Sequence, residues 1–196
     1  MKKAIFFVII LLIFFWGLYY ITSNFGNNII IKDENKIVDY VLNNIKEYEA
    51  EIEVTVNSNK TKNVYKMKQK ESEGYSYLEV ISTGKINGLK IEFKDGNLNV
   101  QNTALKLDKI YENYKPIMKN SLFLNTFIEE FKIGESTTYQ ENDQIVFETK
   151  VDSNNRYNVY KKLYVDTKTV KPTKLEIKDN NQNTTTCIIY SNIEIK

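Results

Sequence analysis

The chain has 196 residues, 27 basic against 25 acidic side chains, no histidine and one cysteine. Without histidine there is no Ser-His-Asp triad, no Cys-His dyad and no His-ligated zinc, and the lone Cys187 excludes an internal disulfide or a Cys-rich cluster. Lys2 and Lys3 carry the whole net charge of +2, so the remainder is neutral and lacks the basic footprint of a nucleic-acid binder.

Ala4 to Ile21 reads AIFFVIILLIFFWGLYYI, without a charge. As a helix at 1.5 Å per residue this run would be roughly 27 Å long, close to the hydrocarbon thickness of a bilayer. Lys2 and Lys3 place its amino end in the cytoplasm, and Trp16, Tyr19 and Tyr20 fall at the opposite interface. The competing reading is a cleaved signal peptide. The exit Tyr20-Ile21-Thr22-Ser23-Asn24 is a poor cleavage site, and no cysteine near residue 20 offers a lipidation point. The expectation is therefore a single-pass cell-membrane protein, with residues 1–27 as anchor and short linker and residues 28–196 as an extracytoplasmic domain.

Ile37, Val38, Val41, Leu42, Ile45 and Tyr48 recur at helical spacing and predict an amphipathic helix from about Asp33, its N-cap, to Tyr48. The period then changes to two. Ala50, Ile52, Val54 and Val56 alternate with Glu49, Glu51, Glu53 and Thr55. Past a polar turn at Asn57–Lys60, Tyr65, Met67 and Gln69 alternate with Lys66, Lys68 and Lys70. A hairpin that pairs Ile52 with Met67 and Val54 with Tyr65 also pairs Glu53 with Lys66, Glu51 with Lys68 and Glu49 with Lys70. Both faces agree on one register. The lysine stripe is then a solvated ion-paired face, not a nucleic-acid surface.

Tyr75–Ile81 predicts another strand. Leu89, Ile91 and Phe93 predict the next, turned by Asp95-Gly96-Asn97 into Leu98 and Val100, with Leu105 and Leu107 at its end. Tyr111, Tyr114, Pro116 and Ile117 lead into a second helix starting near Asn120 or Ser121. Its apolar face is Leu122, Leu124, Phe127, Ile128 and Phe131, and Gly134 stops it. Strands follow at Thr137–Gln140, Gln144–Val151, Arg156–Val165, Lys174–Lys178 and Thr184–Ile195. The sum is an α+β fold: a single curved antiparallel sheet, an incomplete β-barrel, with two lid helices over one face and an N-terminal transmembrane helix. No second domain or internal repeat is visible.

The chemistry is sparse. Nucleotide-loop, zinc-helix and EF-hand patterns are missing, and Asp152–Asn155 and Asp179–Asn181 read as turns, not calcium loops. Glu129 and Glu130 point about 100° apart on a helix and read as solvated side chains. Cys187 sits in an apolar strand pattern and reads as a buried, inert thiol. The expectation is no enzyme, no cofactor and no metal.

Several stretches carry a family resemblance: Val41–Tyr48 followed by Glu51–Val54 and Asn59-Lys60, then Asn102-Thr103, Leu105–Leu107, Tyr111–Tyr114, and Asn120–Leu124 with Phe127-Ile128. Over residues 35–196 the chain resembles the germination lipoprotein GerS family of spore-forming anaerobes. The resemblance implies a LolA/LolB-like fold. It also implies a non-enzymatic role: binding and promoting a CwlD-type N-acetylmuramoyl-L-alanine amidase, and so supporting muramic-lactam formation in the spore cortex and germination. Self-association as a homodimer by strand exchange is a further family trait. The chain departs in lacking the lipobox cysteine, for which the helix over residues 4–21 would substitute as tether. The fold analogy carries an alternative, a LolA-like carrier of lipid or lipoprotein acyl chains. Tyr111, Tyr114, Leu122, Phe123, Leu124 and Phe127 are the expected lid and binding residues.

Overall fold

The computed structural model describes residues 33–58, 60–82, 84–114, 120–151 and 155–196. The expected membrane anchor, the approach through Pro116 and Ile117, and the turn at residues 152–154 lie outside them. Among the described residues no helix is long and apolar enough to cross a membrane.

Eleven strands form one antiparallel sheet: β1 (Tyr48–Asn57), β2 (Lys62–Ser72), β3 (Tyr75–Val80), β4 (Lys90–Lys94), β5 (Asn97–Asn102), β6 (Leu107–Tyr111), β7 (Glu135–Glu141), β8 (Gln144–Lys150), β9 (Tyr160–Asp166), β10 (Pro172–Lys178) and β11 (Thr184–Ile195). Their order is β6-β5-β4-β3-β2-β1-β11-β10-β9-β8-β7. Two meanders thus meet where β1 pairs with β11, and the sheet stays unclosed between β6 and β7. The described residues also form helices α1 (Glu34–Asn44) and α2 (Leu124–Ile133).

The β1–β2 hairpin has the register expected from both of its faces: Ile52 opposes Met67, Val54 opposes Tyr65, and Glu49, Glu51 and Glu53 oppose Lys70, Lys68 and Lys66. Glu49 and Lys70 close to 3.0 Å, whereas Glu51 also accepts from Asn192 Nδ2 across β11. The Asp95-Gly96 turn is present with positive φ at both residues, 51° and 78°, the I′ geometry that matches strand twist.

Four boundaries differ from expectation by more than two residues. Helix α1 ends at Asn44, and Tyr48 opens β1. Ile45 and Tyr48 are buried as an extended helix would require, so the spacing fits a turn followed by a strand equally well. Helix α2 begins at Leu124, because Asn120 instead builds a turn, its Oδ1 accepting from Leu122 N–H and its carbonyl from Phe123 N–H. Leu107–Tyr111 is a separate strand, β6, and not the approach to a helix. Arg156 lies in the turn before β9, stacked 4.9 Å over the Tyr157 ring.

The core occupies one face of the sheet, here called inner. Ile52, Val54, Ile188, Leu175, Leu163 and Phe147 form a buried row through consecutive registers. Ile37 and Val41 of α1 and Leu124, Phe127, Ile128 and Phe131 of α2 belong to the same buried cluster. Phe131 packs edge-on against Phe147 at 5.4 Å and tilted against Phe127 at 5.9 Å. The C-cap of α2 is glycine for a steric reason: a Cβ at Gly134 would lie 2.6 Å from Thr149 Oγ1 and 2.7 Å from the Lys150 carbonyl. The outer face alternates charge with tyrosine, as in Glu148–Lys162 at 2.9 Å and Lys174 set 3.8 Å over the Tyr164 ring. Cys187 is half-buried opposite Glu176 on this outer face, outside the core, and burial pushes its thiol pKa up.

Candidate functional site

The chain leaves β6 at one edge of the sheet and resumes pairing at β7 on the other edge. Laid flat, eleven strands would separate those edges by about 48 Å. The connection carries α2, which packs against β7 and β8. A helix resting on the sheet is therefore a consequence of strand order.

Polar bonds fix α2 at both ends. Its N-cap residue, Phe123, offers no side-chain acceptor. The hydroxyl of Tyr48 replaces it, accepting the Leu124 N–H at 3.0 Å and donating to Gln69 Oε1 at 3.1 Å. Gln69 Nε2 in turn donates to the Leu122 carbonyl at 3.0 Å. Both Tyr48 and Gln69 are 1 % exposed. Burial drives the Tyr48 pKa well above that of a free phenol, so it stays a donor. Farther along, Glu130 forms an ion pair with Lys161, whose side chain is fully buried on the inner face of β9. Burial pulls the Lys161 pKa down and Glu130 opposes it. At the carboxyl end Ser136 Oγ donates to the Phe131 carbonyl at 2.6 Å and lies 2.8 Å from Thr149 Oγ1.

Glu130 is thus one half of a largely buried ion pair, not a solvated side chain. Lys161, Tyr48 and Gln69 were legible only through strand parity. Lys161 shares its face with Leu163 and Val165, and Gln69 shares its face with Met67. A polar residue at an inward position is the signal.

The six expected lid residues fall into two groups. Phe123, Leu124 and Phe127 are buried at the start of α2 with Leu122 half-buried beside them. Tyr111 ends β6, and Tyr114 donates its backbone N–H to Gly96. Both tyrosines are exposed, at the sheet edge. The structure brings the first four together under the helix and leaves the tyrosines apart from them.

At one end of the inner face an open groove of about 820 Å³ runs past Val56, Ser121, Leu122, Tyr157, Asn158 and Ile177. Asn158 Nδ2 donates to Ser121 Oγ at 2.7 Å, while its Oδ1 is shielded from solvent without a partner. The Asp179 carboxylate at the rim accepts from Asn181 and Asn183 within its own turn. Its walls thus mix apolar side chains with amides and hydroxyls.

The whole sequence, residues 1–196, matches the model of the family described as sporulation protein YdcC-like. No curated protein matches. Among solved structures, the chain is similar to an uncharacterized conserved protein from Thermus thermophilus, with a TM-score of 0.53, 8 % identity, and 83 % and 86 % of the two chains covered. It is similar to a chain of the CwlD amidase–GerS lipoprotein complex from Clostridioides difficile, with a TM-score of 0.54, 22 % identity, and 85 % and 98 % covered. A more distant similarity, TM-score 0.40 at 11 % identity over 83 % and 93 %, is to the LolA superfamily protein NE2245 from Nitrosomonas europaea. With a family match running from the first residue to the last, this chain belongs to the YdcC-like sporulation proteins.

Proposed function

We propose that the protein is a non-enzymatic, membrane-tethered binding protein of the extracytoplasmic side that holds and activates a CwlD-type spore-cortex amidase. In this role it would support cortex modification and germination. Residues 4–21 are its leash. The observation carrying the reading is the similarity, across 85 % of this chain, to a structure in which a GerS lipoprotein accompanies the CwlD amidase, in a chain whose family is a sporulation family. The build of the molecule agrees with it. Helix α2 is bonded to β1, β2 and β9 through buried polar groups, which suits a fixed surface presented to a partner.

The test uses the full-length protein in detergent with the purified CwlD-type amidase of the same organism. A stable complex and raised amidase turnover are expected; neither one appearing would remove the reading.

The second reading is a LolA-like carrier of acyl chains. It is favoured by the groove at the mouth of the inner face, with Val56, Leu122 and Ile177 on its walls. It is opposed by the cost of releasing α2, since opening strands the buried amide and ion pair. Acyl lipid co-purifying in stoichiometric amount would establish it.

A further inference from the structure

The two edges of the sheet are unlike. Edge strand β7 runs Glu135–Glu141 with glutamates at both ends; Glu135 pairs with Lys150 at 3.5 Å, and Tyr139 is drawn onto Lys162 at 3.2 Å. That edge is guarded in the way natural sheets avoid adding strands. Edge strand β6 also carries charge, at Asp108 and Lys109, but there it stands beside large exposed apolar side chains. Of the ten exposed large apolar side chains among the described residues, four (Leu105, Ile110, Tyr111 and Tyr114) fall within its ten-residue neighbourhood. Ile110 is 64 % exposed and Tyr111 50 %. They also lie on opposite faces of the sheet, since Ile110 opposes Asn99 and Tyr111 opposes Leu98. A ligand that contacts both must run along the edge, and the shape that does so while pairing its outward N–H and C=O groups is an extended strand.

Charge decides between a second copy and a different protein. A two-fold axis normal to the sheet pairs β6 antiparallel with itself. Centred on Asp108 it opposes two carboxylates; centred on Lys109, two ammonium groups; centred on Ile110, Asp108 meets Glu112 twice. Like charges directly opposed destabilise a pair. The three central registers are thus all disfavoured for a self-pair. A foreign strand can instead place a base against Asp108 and an acid against Lys109.

We propose that β6 is the docking edge for the amidase, which adds one antiparallel strand to residues 107–111. Read against Tyr111, Ile110, Lys109, Asp108 and Leu107, that strand is apolar, apolar, acidic, basic, apolar. This assignment rests on the amidase-binding function proposed above.

Hydrogen exchange on the full-length protein in detergent, alone and with the purified CwlD-type amidase of the same organism, tests it. Amides of residues 107–111 are expected to slow in the complex, and those of residues 135–141 to stay unchanged. Ile110→Glu and Lys109→Glu should each weaken binding by about tenfold or more, with Thr137→Lys on β7 binding as the parent does. Melting temperatures of all three variants are compared first, since each replaces an exposed side chain. If the complex forms while β6 exchange stays fast, or if both β6 variants bind as the parent does, the edge assignment is overturned and amidase binding survives. If no complex forms with the parent protein, both fall. If β6 exchange slows with protein concentration in the absence of amidase, the edge pairs with a second copy, and the assignment is overturned.

Discussion

Lys161 is the side chain whose setting differs most from its residue type. It is 0 % exposed, and its partner Glu130 reaches down from α2. Removing one member of such a pair leaves a charge in a poorly solvated place, at a cost of about 3 kcal/mol, whereas replacing both by apolar groups is often neutral. Urea unfolding should therefore rank Lys161→Met well below the parent and the double variant Lys161→Met/Glu130→Leu close to it; equal losses in both would contradict the account. Glu71 is a second case. Its Oε2 is shielded without a hydrogen-bond partner, Ser76 Oγ donates to Oε1 at 3.2 Å, and Tyr48 lies directly across the strand pair. Burial, opposed by Ser76 and aided by the charge of Glu129 on α2, pushes its pKa up to about 7. The folded state then holds a proton that the unfolded chain has released above its ordinary value of 4.5, so stability falls as pH rises through that window and levels off above it. Thermal melts of Glu71→Gln between pH 5 and pH 8, about the range over which the two states differ, should show a flatter dependence than the parent. An unchanged slope would remove Glu71 as its source.

At the scale of elements, α2 shows how a helix can borrow a cap from a strand. A helix start leaves backbone N–H groups without partners, and a phenylalanine at the N-cap supplies none. The Tyr48 hydroxyl supplies one from β1, and Gln69 on β2 completes the clamp. Tyr48→Phe keeps the ring and deletes the acceptor, leaving the Leu124 N–H and Gln69 Oε1 buried and short of a partner. Destabilisation of about 1–3 kcal/mol is expected, and exchange at Leu124 should quicken more than exchange in β8 and β9. A uniform change would mean that the hydroxyl serves the core generally. The elements also show why some boundaries were readable. The β1–β2 register was specified twice, by apolar pairs on one face and by Glu–Lys pairs on the other. Strand β6 was not, because its apolar residues have no consistent face: Leu107 and Tyr111 sit on one side, Ile110 on the other, and four of its five residues are exposed.

For the molecule as a whole, the pairing of β1 with β11 joins residues such as Tyr48 and Ile195. Such distant contacts are costly to close before they contribute, which makes for slow folding. Among the described residues the buried apolar side chains come from β1–β3, β8–β11 and the two helices, with Ile45, Phe123, Val159 and Val170 in flanking turns, and none comes from β4, β5 or β6. Local opening should follow that division. In the protein without a partner, amides of β4–β6 are expected to exchange well before those of β1 and β9–β11. Equal protection across the sheet would show that the outer meander is buttressed by something beyond the core described here.

Alternation and turn chemistry in the sequence determined that this is an antiparallel sheet with two amphipathic helices, and the register of its first hairpin, since period-two burial is a local property that each strand carries by itself. The absence of histidine determined which catalytic devices it lacks. Tertiary structure alone decided which polar side chains hold the helix down, because Lys161, Glu130, Tyr48 and Gln69 acquire their roles from neighbours far off in the chain. It also decided which strands lie at the edges of the sheet. Edge exposure depends on strand order, and strand order follows from long-range pairing that no local pattern encodes.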